Sequence, residues 1–314
     1  MVIFDCRFNN LLDIIIALNK PKDITSQDAV TQVKKILKAK KAGHTGTLDP
    51  MATGLLLVCI NRATRLASYF SSLDKEYRAV MKLGETTDTQ DAYGKVLAKT
   101  DSIAIDNNEI EKALQTFRGR ILQQPPMFSA LKHEGTPLYK LARKGIEVER
   151  TPREVNIIDI ELLMVNLPFV TFRTVCSKGT YIRTLCDDLG KKLGIGAHLF
   201  ELERTAIGGV RIEESLTLED LRKINTDQPA GKGIYTMDRS LAWMPELRVD
   251  ASMLKAVIHG NPLKINDTLA LSSEHKNAEG IRIKSHDGVL LAIGRFSSEK
   301  NLIKMDAVFV QEGC

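Results

Sequence analysis

Two hydrophobic periods alternate along this chain. In residues 20–43, KPKDITSQDAVTQVKKILKAKKAG, apolar positions Ala29, Val30, Val33, Ile36 and Leu37 recur at helical intervals. Thr25 and Asp28 have the spacing of a capping box at the helix start. The polar side carries Lys34, Lys35, Lys38, Lys40 and Lys41, which predicts a basic helix face running up to the loop that follows. LLLVCI (55–60) reads as a buried strand, and RATRLASYF as a helix with Ala63, Leu66, Ala67 and Phe70 on one side. In EYRAVMKLG the period drops to two: Tyr77, Ala79, Met81 and Leu83 share one strand face, and Arg78, Val80 and Lys82 the other. NEIEKALQTFRG and YIRTLCDDLGKKLG return to the helical period, with the alternating strand PFVTFRTVC between them.

Strands and helices mix without a regular βαβ rhythm, which predicts an α+β fold around a largely antiparallel central sheet. A break over residues 220–248, including the linker-like INTDQPAGKG, divides a first unit of 1–248 from a second of 249–314. The second holds IRIKSHDGVLLAIGRF, two strands about a predicted Asp287-Gly288 hairpin, and a closing strand LIKMDAVFV, and reads as a small β domain.

Composition narrows the class. The chain has 314 residues, 43% hydrophobic and 26% charged, with a net charge of +5, so a polyanionic partner is permitted but not demanded. Positive charge concentrates in 123–153, where Lys132, Lys140, Arg143, Lys144, Arg150 and Arg153 interleave with Phe128 and Tyr139, a composition suited to RNA or to a long surface loop. Five scattered cysteines (Cys6, Cys59, Cys176, Cys186, Cys314) form no CxxC pair and fit a reduced, cytoplasmic protein. LLDIIIAL (11–18) is interrupted by Asp13, follows a stretch that is not basic, precedes no small-residue cleavage site and is too short to span a membrane.

Metal, P-loop, dinucleotide and Ser-His-Asp patterns are missing, and Asp88 and Asp91 in TTDTQDAYG do not fit a calcium loop. No cofactor is expected. What stands out is Asp49, a lone acid in the glycine- and threonine-rich GHTGTLDPMATG (43–54). By itself the stretch is an ordinary Asp-Pro turn. A lone carboxylate serves as a nucleophile when an arginine keeps it ionised and aimed.

Five blocks in this order, GHTGTLDPMATGLLLVCINRATRL, KEYRAVMKLGETTDTQDAYG, QQPPMFSALK, CSKGTYIRTLCDDLG and GAHLFELERTAIG, closely resemble the TruB family of tRNA pseudouridine synthases. The resemblance runs from about Leu18 to Leu218, with gaps. It implies the pseudouridine synthase fold with a PUA-like C-terminal domain, and isomerisation of a T-loop uridine of tRNA, position 55, to pseudouridine. Asp49 matches the family's catalytic aspartate, attacking C6 of the base or C1′ of the sugar. Tyr77 matches the tyrosine that stacks on the uracil, and Arg183 the arginine that pairs with the aspartate. Tyr181 and Leu202 match pocket-lining residues, His44 the histidine associated with the space left by the flipped base, and Lys20 the Lys-Pro element. The family usually has glycine two residues after that pair, where this chain has Asp23; MVIFDCRFNN has no assigned role. The resemblance also implies a monomer acting on the tRNA T-arm without a guide RNA. A non-catalytic RNA-folding protein and a guide-dependent box H/ACA-type enzyme are the alternatives.

Overall fold

The computed structural model describes residues 12–224, 231–265, 269 and 271–310. MVIFDCRFNN, Cys314 and most of INTDQPAGKG lie outside the described residues. In chain order the strands are β1 (Ile14–Lys20), β2 (Ala42–His44), β3 (Thr53–Ile60), β4 (Lys75–Leu83), β5 (Glu85–Thr87), β6 (Val96–Lys99), β7 (Gly119–Gln123), β8 (Lys132–His133), β9 (Thr136–Pro137), β10 (Arg153–Asn166), β11 (Phe169–Cys176), β12 (Ala197–Ile207), β13 (Val210–Arg211), β14 (Ile234–Thr236), β15 (Glu246–Val249), β16 (Leu263–Lys264), β17 (Ile281–Ser285), β18 (Leu290–Ser297) and β19 (Leu302–Val308). The helices that bear on the site are α1 (Ser26–Ile36), α2 (Ala67–Ser72), α3 (Asn107–Gln115), α4 (Leu138–Ala142) and α5 (Ile182–Lys192).

A ten-stranded sheet runs β14-β1-β3-β12-β4-β11-β10-β7, with β2 on β3 and β13 on β12. Its pairings are antiparallel except one: β3 and β12 run parallel, through Thr53 with Glu203 and Gly54 with Arg204. The expected largely antiparallel α+β sheet is therefore present, and its single parallel junction lies at the centre.

The local patterns follow from what covers each face. Tyr77, Ala79, Met81 and Leu83 of β4 are buried with α3 and α5 residues such as Ile110, Leu114, Leu185 and Leu189. β3 is apolar from Leu55 to Ile60 because both of its faces are covered. Leu55, Leu57 and Cys59 pack with Leu66, Phe70 and residues of the last strands. Leu56, Val58 and Ile60 pack with Ala29, Val30 and Val33 of α1.

Thr25 caps α1 with the reciprocal Asp28 bonds of a capping box. The predicted lysine face is cut short, however. The helix ends at Ile36, Lys38 takes a left-handed φ of 49°, and the side-chain oxygen of Asn61 accepts the N–H groups of Lys40 and Lys41 at 3.0 and 3.1 Å. These bonds draw the chain out of the helix and into β2, so only Lys34 and Lys35 are helical. Residues 61–66 form a 3-10 turn before α2, rather than one continuous helix.

A second sheet, β15-β17-β18-β19-β16, has its own core around Val249, Val257, Ile281, Ile283 and Ile303. Gly288, at φ 84°, makes the β17–β18 turn. Leu290, Ile293 and Phe309 reach into the main-sheet cluster that holds Ile15, Leu57 and Phe70, so the two sheets share buried apolar surface.

Candidate active site

Asp49 sits in the turn that feeds β3, and its neighbours on both sides are held. Leu48 donates its N–H to Ser26 Oγ at 2.8 Å, and that hydroxyl returns a bond to the Leu48 carbonyl at 3.0 Å. Pro50 lends its carbonyl to the N–H of Asp23 at 2.8 Å and to Lys20 Nζ at 3.4 Å. The Asp49 carbonyl accepts from Ala52 at 3.0 Å, closing the turn. A backbone tied at three consecutive residues leaves the carboxylate little freedom, and its side chain remains 35% exposed.

Arg183 meets it from the first turn of α5. Its Nε donates to Asp49 Oδ2 at 2.8 Å and its Nη2 faces Oδ1 at 3.4 Å, a two-pronged approach that fixes the carboxylate plane. The guanidinium is almost fully buried, and its remaining donors go to the carbonyls of Thr89 (3.0 Å) and Phe128 (2.7 Å). Asp91 Oδ2 lies 3.8 Å from Nε. Arg183 thus draws three distant segments onto one planar group. The start of α5 is itself clamped, since the Gln123 side chain accepts from the Tyr181 N–H at 2.7 Å and donates to its carbonyl at 3.0 Å.

Tyr77 and Leu202, 9% and 8% exposed, share a buried cluster with Leu48, Met51 and Ala52, the apolar residues flanking Asp49. Burial pushes the Tyr77 phenol up, opposed by nearby Arg204. Burial likewise raises Tyr181. His44 accepts the Gly46 N–H on Nδ1 at 3.3 Å, which leaves the ring proton on Nε2. Burial, and then Arg204, hold its pKa below the ordinary histidine value, so the ring is neutral at pH 7.

Lys20 is wholly buried beneath the Asp49 turn. Its ammonium donates to the carbonyls of Pro21 (2.8 Å), Ile24 (2.9 Å) and Pro50. Burial lowers its pKa to about 8, against the opposing pull of Asp49 and Asp23.

Arg204 went unrecognised in the sequence. It is 1% exposed, donates from Nε to the Leu55 carbonyl (2.7 Å) and from Nη2 to that of Gly46 (3.1 Å), and pairs in register with Tyr77. The signal was available: Leu202, Arg204 and Ala206 alternate on one strand face, and a charge on an apolar face is a buried charge. TTDTQDAYG, discounted as a calcium loop, supplies Thr89 and Asp91 to Arg183. Gln90 in the same loop donates to Asp187 and accepts from Thr184 of α5, each at 2.9 Å. Among the described residues, no cluster of His, Cys, Asp and Glu has the makings of a metal site, and no helix is long and apolar enough to cross a membrane.

The arrangement sets a partly exposed, arginine-aimed carboxylate beside a buried apolar cluster that includes an aromatic ring. Residues 34–182 match the family model described as TruB family pseudouridylate synthase (N terminal domain), and 183–248 that of the tRNA pseudouridylate synthase B C-terminal domain. The chain belongs to the TruB family. It is 45% identical over 271 residues to tRNA pseudouridine synthase B of Clostridium tetani, which spans 83% of this chain and 92% of that one. The Clostridium acetobutylicum protein of the same name is 43% identical over 288 residues, 92% and 97% of the two chains. Among solved structures, a Cbf5-Nop10-Gar1 complex aligns with a TM-score of 0.73 at 29% identity, over 95% of this chain and 85% of that chain. The archaeal box H/ACA sRNP Nop10-Cbf5 complex aligns with a TM-score of 0.73 at 26% identity, over 97% and 88%. This TruB-family chain is thus similar in fold to a protein solved in complexes with further proteins.

Proposed function

We propose that the protein isomerises a T-loop uridine of tRNA, position 55, to pseudouridine, with Asp49 as nucleophile. The C1′–N1 bond breaks, the detached uracil turns, and C1′ bonds to C5; the C5 proton is lost to solvent and N1 takes one up. The Asp49–Arg183 pair carries this reading. An arginine that is buried while its partner stays partly open keeps the carboxylate aimed at whatever enters the site. A base reaches such a carboxylate only when flipped from its stack, and Tyr77 and Leu202 supply the aromatic and apolar walls for it. The family resemblance assigns Tyr181 and His44 to the same space, while Lys20 acts from below by holding Pro50.

The exposed Lys132, Lys140, Arg143 and Lys144 around α4, with Lys34 and Lys35 of α1, grip phosphates of the T-arm. Residues 249–314 form a second RNA-binding unit. The enzyme works as a cytoplasmic monomer without a guide RNA.

Unmodified tRNA carrying tritium at C5 of uracil tests the reading. Wild-type protein alone releases tritium, from one T-loop uridine, and Asp49→Asn releases none. Tight tRNA binding by both with no release by either leaves a folding or binding protein. Release only when a guide RNA and partner proteins are added, as the likeness to the Cbf5 complexes would suggest, defeats stand-alone action.

A further inference from the structure

Asp23 occupies the left-handed region at φ 66°, which explains why glycine, free of Cβ strain there, suits this position. Asp is among the few other residues that tolerate it. Here its side chain also makes a contact that glycine cannot. The Tyr93 hydroxyl donates to the Asp23 carboxylate, joining the turn after β1 to the 88–94 loop. Each partner is tied to one half of the catalytic pair. On the Asp23 side, the backbone N–H bonds the Pro50 carbonyl, next to Asp49. On the Tyr93 side, the backbone N–H donates to Asp91 Oδ1 at 3.0 Å, and the same loop presents the Thr89 carbonyl to Arg183. The contacts close a ring: Asp49 to Arg183, to Thr89 and Asp91, to Tyr93, to Asp23, to Pro50 and back to Asp49.

We propose that Asp23 and Tyr93 are a positioning pair, a strut at the rim of the pocket that sets the separation between the Asp49 turn and the loop that holds Arg183. The proposal rests on Asp49 being the nucleophile. Tyr93 is 57% exposed, so the contact adds little to global stability. Its effect is local: the Arg183–Asp49 geometry depends on two loops from opposite sides of the site, and this strut is a second tie between them. The pair acts through Arg183 and Asp49 and not on the substrate.

The test is single-turnover pseudouridine formation on an unmodified tRNA transcript with enzyme in excess, together with tRNA Kd by filter binding. Wild type, Tyr93→Phe, Asp23→Gly, Asp23→Asn and the double variant Tyr93→Phe/Asp23→Gly are compared. Tyr93→Phe and Asp23→Gly each slow the single-turnover rate roughly three- to tenfold, the worth of one hydrogen bond, with Kd unchanged. The double variant is no slower than either single one. Asp23→Asn, which tolerates the same φ and still offers an acceptor oxygen, recovers most of the rate. Unchanged rates, multiplicative losses, or a weakened Kd at constant rate would overturn the strut, the last by making Tyr93 an RNA contact. A wild type that forms no pseudouridine overturns the functional reading itself, a result distinct from an active wild type with indifferent variants.

Discussion

Arg204 crosses Gly54 so closely that a Cβ built on the glycine would lie 2.4 Å from the Arg204 carbonyl oxygen. This contact is the parallel β3–β12 junction, and Gly54 has a φ of 100°. Gly54→Ala therefore meets both a backbone clash and a strained dihedral. It is expected to destabilise by about 3 kcal/mol or more in urea unfolding. A loss under 1 kcal/mol would mean the two strands separate easily.

The Arg183 guanidinium serves Asp49 and two backbone carbonyls at once, which a lysine ammonium cannot span. Arg183→Lys should lower kcat at least a hundredfold in the tritium-release assay while leaving tRNA Kd within about twofold. A variant retaining a tenth of wild-type activity would show that charge alone suffices.

Lys20 carries a pH signature. Its folded pKa of about 8 lies below the unfolded value of 10.5. Below pH 8 both states hold the proton, and the folded state bears the full penalty of burying the charge. Between 8 and 10.5 the folded state sheds its proton first, so stability contributed by this group rises with pH. The buried thiols of Cys59, Cys176 and Cys186, pushed up by burial, act in the opposite sense above pH 9. The readout is consequently the difference between wild type and Lys20→Met. It should move in favour of wild type by roughly 2–3 kcal/mol from pH 7 to 10. A difference that stays flat would mean that Lys20 is hydrated in solution.

The phosphate contacts proposed for the α4 region would impose a salt dependence. Replacing Lys132, Lys140 and Lys144 by Gln should weaken tRNA binding and reduce the slope of log Kd against log salt by about 2 to 3. Wild-type affinity that is flat between low and moderate salt would remove phosphate binding from this surface.

The periodicities determined a good deal. The capping box at Thr25, the β4 alternation through Tyr77 and the Asp287-Gly288 hairpin each depend on residues within a few positions, and local patterns encode local geometry. The family blocks named Asp49 and Arg183 as partners by resemblance, and the two side chains meet at 2.8 Å.

Only the tertiary structure decided the rest. Lys38 left α1 because Asn61, two dozen residues on, competes for the backbone N–H groups of Lys40 and Lys41. Lys20 looks like a surface lysine until the carbonyls of Pro21, Ile24 and Pro50 converge on it. Arg204 and Gly54 meet because two strands pair in parallel far along the chain, and Asp23 reaches Tyr93 across a gap between loops. Sequence periods report which face of an element is buried; they do not report which other element covers it, and buried charges and rim contacts are set by that partner.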